Sequence, residues 1–321
     1  MIPSVVLAPL AGGPSTPELA AAVANAGGLG FVAAGYLQLE QLAEQLRRAR
    51  ELTDGPLGVN LFVLEDRPID GDALAAYARE LEPEGELGEP HFDDDWLDEK
   101  LAVAIDGGAN IVSTTFGPPP SRLVEEARRA GLQVWATVAS ADDAQTALDA
   151  GADVLVAQGA EAGGHRASFD DLDERDVPLL ELLAQLHKLD RPVVAAGGIV
   201  DRSTADAARA AGASAVQAGT AFLLCPEAGT HPVHRDALAR PGDTSVTRAF
   251  TGRRARGIVN RFMRDHPDAP SAYPYVHHLT SPLRAAARLA GDHERVNLWA
   301  GTRFAAARAR PAREVVGDLQ P

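Results

Sequence analysis

The feature that most constrains this chain is a series of short apolar runs, rich in Val and Ala, separated by amphipathic helical stretches. Strands that are apolar along their whole length are typical of parallel sheets buried on both faces. Eight βα units favour a closed (β/α)8 TIM barrel, although periodicity alone also fits an open doubly wound sheet. The eight runs are Ser4–Ala11, Leu29–Tyr36, Leu57–Val63, Ala109–Phe116, Gln133–Ala139, Ala152–Gly159, Pro192–Ile199 and Ser214–Leu224.

Helices are predicted between most of these runs from their apolar stripes. A glycine follows several of them, as expected where a helix stops. The clearest are Pro17–Ala26, Leu39–Leu52, Ser121–Ala130, Ala141–Ala150, Val177–Leu189 and Ser203–Ala211.

Two segments fall outside the repeat. Residues 65–99 are acidic and punctuated by proline, with one helical patch around Asp72–Leu81. Residues 226–321 follow the last strand and have the pattern of several helices. Long segments after a barrel strand usually cover the site or form an interface. We therefore predict a barrel over 1–225 with an insertion at 65–99, and a helical extension over 226–321 that covers the site. The extension also suits a homodimer interface.

Composition excludes several classes of protein. The formal charge of −15 would repel a phosphate backbone, so no nucleic-acid partner is expected. A single cysteine, Cys225, excludes an internal disulfide and a thiolate metal cage. No stretch approaches the roughly 18 apolar residues of a membrane span, and the first residues carry no basic n-region. The sequence predicts a cytoplasmic protein.

Glycines end the last two predicted strands, where the barrel architecture places its recurrent phosphate site. Glycine lets the backbone approach an anion and direct N–H groups at it, and a helix N-terminus reinforces the effect. We therefore predict that a phosphate-bearing cofactor binds there. The residues concerned are Gly197 and Gly198 after the seventh strand, and Gln217, Ala218, Gly219 and Thr220 at the end of the eighth.

Polar groups at the other strand ends indicate where chemistry takes place. The sixth strand ends at Gln158 and leads through a glycine-rich turn containing Gly163 to His165. An imidazole titrates near neutrality and can act as a general base or a hydrogen-bond donor. The third strand carries Asn60, whose amide both donates and accepts and so suits a ring edge. His165 is the candidate catalytic residue.

The residues missing from the strand ends exclude other chemistries. No lysine ends a strand, which disfavours a Schiff-base aldolase. No pair of carboxylates lies at the strand ends, which argues against a glycosidase. His231 and His234, and the adjacent His277 and His278, are more typical of helix or loop histidines than of metal ligands. We predict no metal site.

At these same positions the chain resembles the nitronate monooxygenase family, formerly called 2-nitropropane dioxygenases. The matching stretches lie along almost the whole chain: LAPLAGGPSTPELAAAVANAGGLGFVAAGY, GVNLF, VSTTFG, VAQGAEAGGH, PVVAAGGIVDRSTADAARAAGASAVQAGTAFLLCPEAG, YPYVHHLTSPLRAAA and VNLWAG. The combination of QGAEAGGH with AAGGI and QAGT is specific, whereas any one glycine motif is weak. The acidic segment 65–99 has no counterpart in the family pattern.

The resemblance implies non-covalent FMN in a TIM barrel, with Asn60, Gln158 and Gly163 near the ring and ribityl chain, and Gly198 with the run Gln217–Thr220 at the phosphate. It implies that His165 is the active-site histidine and that Trp299–Gly301 lies near the flavin. The implied reaction is oxidation of an alkyl nitronate, such as propionate 3-nitronate, by O2 to a carbonyl product and nitrite. The alternatives are an NAD(P)H-dependent flavin reductase acting on a quinone or enoyl thioester, and a non-catalytic flavin-binding protein.

Overall fold

A closed ring of parallel strands forms the centre of the computed structural model, which describes residues 2–321. All strands except β7, β10 and β11 lie in this ring, in the order β1-β9-β8-β6-β5-β4-β3-β2. The strands are β1 (Val5–Leu7), β2 (Gly30–Ala33), β3 (Leu57–Phe62), β4 (Ile111–Thr115), β5 (Gln133–Val138), β6 (Val154–Gln158), β7 (Gly164–His165), β8 (Val193–Ala196), β9 (Ala215–Ala218), β10 (Thr244–Thr247) and β11 (Ala255–Ile258).

Leu29, the residue before β2, closes the ring against β1. Its N–H donates to the Val5 carbonyl, and its own carbonyl accepts from Leu7 N–H, both at 2.9 Å. The TIM barrel is therefore confirmed and the open-sheet alternative is wrong. Each of the eight predicted runs contains one strand of the ring.

Helices alternate with the barrel strands, and all six predicted helices are confirmed to within about three residues at their ends. No helix within residues 2–321 is both long enough and apolar enough to cross a bilayer. The helices are α1 (Pro17–Asn25), α2 (Leu39–Leu52), α3 (Gly71–Leu81), α4 (Leu97–Asp106), α5 (Ser121–Arg129), α6 (Ala141–Asp149), α7 (Leu179–Leu186), α8 (Arg202–Ala210), α9 (Pro232–Leu238), α10 (Arg261–Asp265), α11 (Tyr275–Leu289) and α12 (Ala312–Leu319).

Helix α2 illustrates how the sequence specifies the outer layer. Leu42, Leu46 and Ala49 recur at helical spacing and are fully buried against the barrel. On the opposite face, Arg47 forms ion pairs with Glu44 and Glu51 in solvent. The helix buries one stripe and leaves the other face hydrated.

The barrel strands bury side chains on both faces, which explains their uninterrupted apolar character. Val5 and Leu7 of β1 pack outwards against the helices, whereas Val6 packs inwards with Phe31 and Trp135. Trp135 is fully buried in this inner cluster. The barrel interior is a packed core rather than a pore, so a ligand must bind at the mouth.

The segment after β9 contains the four helices α9 to α12, and it also contains two strands that periodicity did not reveal. Strands β10 and β11 pair antiparallel, and β11 pairs with the two-residue strand β7. A two-residue strand carries no periodic signal, and its pairing partner lies some ninety residues away in sequence. This small sheet ties the segment to the loop that carries His165.

Helix α12 supplies the outer layer of the barrel between α8 and α1. Ala312, Val315, Val316 and Leu319 are buried in the same core as the barrel helices. The Arg202 side chain donates to the Gln320 carbonyl at 2.7 Å. Part of the barrel's outer layer thus comes from beyond residue 225. The predicted boundary between barrel and extension at residue 225 stays a prediction.

The acidic segment packs onto the segment after β9. Its helical patch is confirmed as α3, where Leu74, Tyr77 and Leu81 share a core with Phe250 and Val276. The Tyr77 hydroxyl donates to the Ala249 carbonyl at 2.7 Å. The helix of the acidic segment therefore has its core in common with the segment after β9.

A buried ion pair anchors the end of the insertion in the barrel wall. Lys100 Nζ lies 2.7 Å from Asp95 Oδ1, and Lys100 is fully buried. The same Asp95 oxygen accepts from Tyr36 N–H at 3.0 Å, at the C-terminal side of β2. The pair thus connects the insertion to a residue of the barrel mouth.

Lys100→Ala should lower the free energy of unfolding by about 3–5 kcal/mol, because Asp95 would be left buried without its partner. The only other lysine, Lys188, is exposed, and Lys188→Ala provides the matched control with a change of at most about 0.5 kcal/mol. Urea denaturation of both variants measures this. Equal effects would show that the ion pair contributes nothing specific.

Candidate functional site

A cavity of about 390 Å³ opens at the C-terminal ends of the barrel strands. The structure brings every predicted site residue to its wall, together with residues from the segment after β9, Arg288, Trp299 and Arg303 among them. The predicted residues are Asn60, Gln158, Gly163, His165, Gly197, Gly198, Gln217, Ala218, Gly219 and Thr220. Their individual roles stay predictions.

One end of the cavity is rich in backbone donors. Gly198 has a φ of +67°, which favours glycine, and within residues 2–321 its N–H and that of Thr220 have no hydrogen-bond partner. The N-terminus of α8 is already capped by Asp201, whose carboxylate accepts from Thr204 N–H at 2.9 Å. An anion here would be held by the two loops rather than by that helix.

The segment after β9 closes over this end through a backbone contact that only glycine permits. A Cβ on Gly163 would lie 2.4 Å from the Ala300 carbonyl carbon. Gly301 N–H donates to the Thr220 hydroxyl at 3.0 Å. The loop after β6 and the Trp299–Gly301 stretch therefore pack backbone against backbone.

Arg303 lies at the rim of the cavity beyond this contact. It is exposed, and its side chain forms no hydrogen bond or ion pair with another residue of 2–321. The sequence does not single it out, because nothing local distinguishes it from the arginines that follow. Its guanidinium is a free positive charge in the cavity wall that also contains the glycine-rich loops.

Asn60 and Gln158 are oriented by their neighbours. The Asn60 amide nitrogen donates to the hydroxyls of Ser113 and Thr115, both at 2.9 Å, which leaves its oxygen available to the cavity. The Gln158 amide donates to the His165 carbonyl at 3.0 Å and accepts from Ala167 N–H at 2.9 Å. Gln158 therefore fixes the loop that carries His165 as well as lining the cavity.

His165 lies in an aromatic enclosure on β7. Phe116, Tyr273 and Trp299 surround its ring with centroid distances of 5.5–5.7 Å. Its Nε2 lies 2.9 Å from the Thr251 hydroxyl oxygen. Burial, reinforced by the positive charges of Arg253, Arg284 and Arg166, lowers the pKa of His165 to about 3. The imidazole is therefore neutral at physiological pH.

Two of these arginines are buried without a counter-ion. Neither Arg253 nor Arg284 has a carboxylate oxygen within 4.0 Å in the described part of the chain, and each is about nine-tenths buried or more. Arg253 lies over the Phe116 ring at 4.1 Å and donates to the carbonyls of Arg166 and Ser168. A buried charge is costly unless it is compensated, so this region favours an anionic ligand.

Tyr36 adds a hydroxyl to the cavity wall and is paired with Tyr273. The Tyr273 and Tyr36 hydroxyls lie 3.1 Å apart, and the Tyr36 ring stacks on His277 at 4.2 Å. Burial raises the pKa of Tyr36 to about 12 and that of Tyr273 well above its usual range. Both are neutral phenols, and because Tyr273 donates to Tyr36, the Tyr36 proton is the one left for a ligand. Sequence reasoning missed this pair, although Tyr273 lies in the YPYVHH stretch.

Three of the four histidines considered as metal ligands make other contacts, and His234 is buried with its Nε2 unpaired in residues 2–321. His231 caps α9, with its Nδ1 accepting from Val233 N–H at 3.3 Å. The one potential ligand group in the described part of the chain is His91, Asp93 and His278. Their two imidazole rings stack at 3.8 Å, and His278 bonds to Asp93 at 2.6 Å. The absence of a metal site stays a prediction.

Comparisons with known proteins agree with this site. The family model described as nitronate monooxygenase matches residues 1–321. A nitronate monooxygenase from Pseudomonas aeruginosa is 39% identical over 337 residues, covering 98% of this chain and 94% of the relative. A probable nitronate monooxygenase from Bacillus subtilis is 36% identical over 310 residues, covering 92% and 89%.

Solved structures give the same result. The nitroalkane oxidase of Streptomyces ansochromogenes superposes with a TM-score of 0.95 at 46% identity, covering 98% of this chain and 94% of that one. FabK from Thermotoga maritima superposes with a TM-score of 0.78 at 28% identity, covering 98% and 91%. These relatives are flavin-dependent oxidoreductases.

The neutral state of His165 can be tested directly. Its pKa of about 3 predicts that its NMR signals keep the neutral-form shifts from pH 8 down to pH 5.5, whereas an ordinary imidazole titrates near pH 6.5. His165→Asn assigns the signals by their loss, and the urea-unfolded protein supplies the normal titration. A midpoint near 6.5 in the folded protein would contradict the cationic, buried environment described above.

Proposed function

The chain belongs to the nitronate monooxygenase family, and on that premise we propose that it is an FMN-dependent enzyme that oxidises alkyl nitronates with O2 to a carbonyl product and nitrite. Propionate 3-nitronate represents the substrate class. The flavin, when bound, supplies the electron transfer and the reaction with O2. The protein binds and orients the substrate and excludes water.

The cavity has the donors that FMN requires. The unpaired N–H groups of Gly198 and Thr220, with Arg303 at the rim, suit a phosphate at one end. Asn60 and Gln158 offer amide groups deeper in the mouth, where a flat ring system would lie. The close approach at Gly163 leaves no room for a side chain on that loop. We propose that Gly197, Gln217, Ala218 and Gly219 complete the cofactor contacts.

The observation that carries the substrate assignment is the positive charge around His165. Arg253 and Arg284 are buried without carboxylate partners in residues 2–321, and the Tyr36 hydroxyl, which accepts from Tyr273, keeps its own proton for an anion in the cavity. An alkyl nitronate carries the negative charge that this site favours. A base with a pKa of about 3 removes a proton from carbon only slowly, so the preformed nitronate is the better substrate.

His165 contacts the substrate at its reacting end in this proposal. With a preformed nitronate no proton is removed, and the imidazole positions the anion only as part of the wall that bounds it. With a neutral nitroalkane the imidazole accepts the proton from the carbon beside the nitro group, and the C–H electron pair passes to the nitro group. The resulting nitronate lies where the buried arginines stabilise it, and the imidazolium later releases its proton to water.

An anaerobic visible spectrum distinguishes this function from its main alternative. Propionate 3-nitronate should remove the oxidised flavin absorbance of the purified holoenzyme, whereas NADH or NADPH should leave it unchanged. Subsequent aeration should produce nitrite. Bleaching by NADH or NADPH alone would favour a quinone or enoyl-thioester reductase, and binding without turnover of any donor would favour a non-catalytic flavoprotein.

The phosphate assignment has its own test. Arg303→Gln should raise the dissociation constant of FMN by about two- to fivefold, the effect of one solvent-exposed charge pair. Arg313→Gln is the matched control, since Arg313 is equally exposed and lies on α12, outside the cavity wall. Titration of FMN into flavin-free protein measures both. Equal affinities for the two variants would place the phosphate away from Arg303.

A further inference from the structure

Among residues 2–321, Thr251 is the one side chain that hydrogen bonds to the His165 ring. It is 2% exposed and lies between α9 and α11, in the segment that also carries Arg253. Its hydroxyl oxygen is 2.9 Å from His165 Nε2, 3.3 Å from the Arg253 carbonyl oxygen and 3.4 Å from the Arg253 nitrogen. A hydroxyl has one proton, so it can donate to only one of its two candidate acceptors.

Counting donors and acceptors determines which way that proton points. If the hydroxyl donates to the Arg253 carbonyl, its oxygen accepts from Nε2–H of His165 and from Arg253 N–H, and all four groups are paired. If it donates to Nε2 instead, the Arg253 carbonyl loses its only hydrogen-bond donor in residues 2–321. Buried carbonyl groups are rarely left unpaired, so the first arrangement is favoured.

We propose that the Thr251 hydroxyl is a positioning group that holds His165 as its Nε2–H tautomer and so presents the Nδ1 lone pair to the cavity. Nδ1 has no hydrogen-bond partner among the described residues and is not enclosed by protein, and His165 lines the cavity wall. An Nδ1 lone pair can accept a proton from carbon, whereas Nδ1–H could not. The catalytic part of this inference rests on the proposed function.

The consequence is that two substrates of the same site should depend differently on Thr251. A neutral nitroalkane must lose a proton to His165 before it is oxidised, and that step needs the lone pair in the cavity. A preformed nitronate has already lost the proton and needs no base. Loss of the hydroxyl should therefore impair the first substrate selectively.

The variants are Thr251→Val, which keeps the shape and removes the hydroxyl, and Thr251→Ser, which keeps the hydroxyl. Thr114→Val is the matched control, because Thr114 is a fully buried threonine on β4 whose hydroxyl has no hydrogen-bond partner. Flavin content and the thermal midpoint of each holoenzyme show whether it is folded. All readouts are taken on holoenzyme.

The first readout is the tautomer itself, by long-range ¹H–¹⁵N NMR of histidine-labelled holoenzyme, with His165→Asn for assignment. The unprotonated ring nitrogen resonates far downfield of the N–H nitrogen. The downfield nitrogen of His165 should be Nδ1 in the wild type, Thr251→Ser and Thr114→Val, and should become mixed in Thr251→Val. A downfield Nε2 in the wild type would overturn the proposal, whatever the activity of the enzyme.

The second readout is anaerobic exchange of the nitroethane α-protons in D2O, followed by ¹H NMR, beside aerobic turnover of nitroethane and ethyl nitronate. In Thr251→Val the exchange rate and the kcat/KM for nitroethane should each fall by about tenfold or more. The expected loss is smaller than the full contribution of a general base, about 10²–10⁴-fold, because His165 itself is still present. The kcat/KM of this variant for ethyl nitronate should change by about twofold at most, and Thr251→Ser should restore the nitroethane values to within about threefold.

The outcomes separate the two proposals. Equal losses with nitroethane and ethyl nitronate in Thr251→Val, or no recovery in Thr251→Ser, would show that Thr251 acts only by supporting the structure and would overturn its positioning role. Failure of every form, the wild type included, to oxidise a nitronate would overturn the proposed function, while the NMR result would still decide the tautomer.

Discussion

Closure of the parallel ring is the constraint on which the rest of this structure depends. The two hydrogen bonds that Leu29 makes with β1 join the first strand to the second, and the eight strands then present their C-terminal ends to one rim. Residues as distant as Asn60, Gln158 and Gly219 meet there because a closed ring leaves them no other position. The packed inner cluster around Trp135 fills the barrel below, so the ligand is confined to the mouth.

The mouth holds several arrangements that are unfavourable in isolation. Tyr36 and Phe116 adopt left-handed backbone conformations that non-glycine residues rarely occupy. Arg253 and Arg284 carry buried charges without carboxylate partners. Such strain persists only where the surrounding structure over-determines it. Here the restraint includes the Asp95–Tyr36 hydrogen bond and the pairing of β7 with β11.

The sequence was sufficient to predict the features that repeat or that lie at strand ends. The eight runs identify the barrel, and the glycines after the last two strands, together with His165, identify the mouth. Thr251, Tyr273 and Arg303 could not be found this way, because all three lie in a segment that follows no barrel period. Arg303 lines the cavity itself, whereas Thr251 and Tyr273 contact the cavity residues His165 and Tyr36. His165 and Thr251 are 86 residues apart and meet only because a two-residue strand pairs with β11. Such a pairing leaves no trace in periodicity.

Helix α12 has a consequence for the order of events during protein synthesis. It fills the gap between α8 and α1, with Ala312 and Leu319 fully buried, and so covers the seam where the first and last strands of the ring meet. Until residues 312–319 have left the ribosome, that seam exposes apolar surface and the ring is open to solvent on one side. The barrel wall is therefore complete only when α12 has packed against α1 and α8, although the ring of strands that it covers is built from residues up to 218.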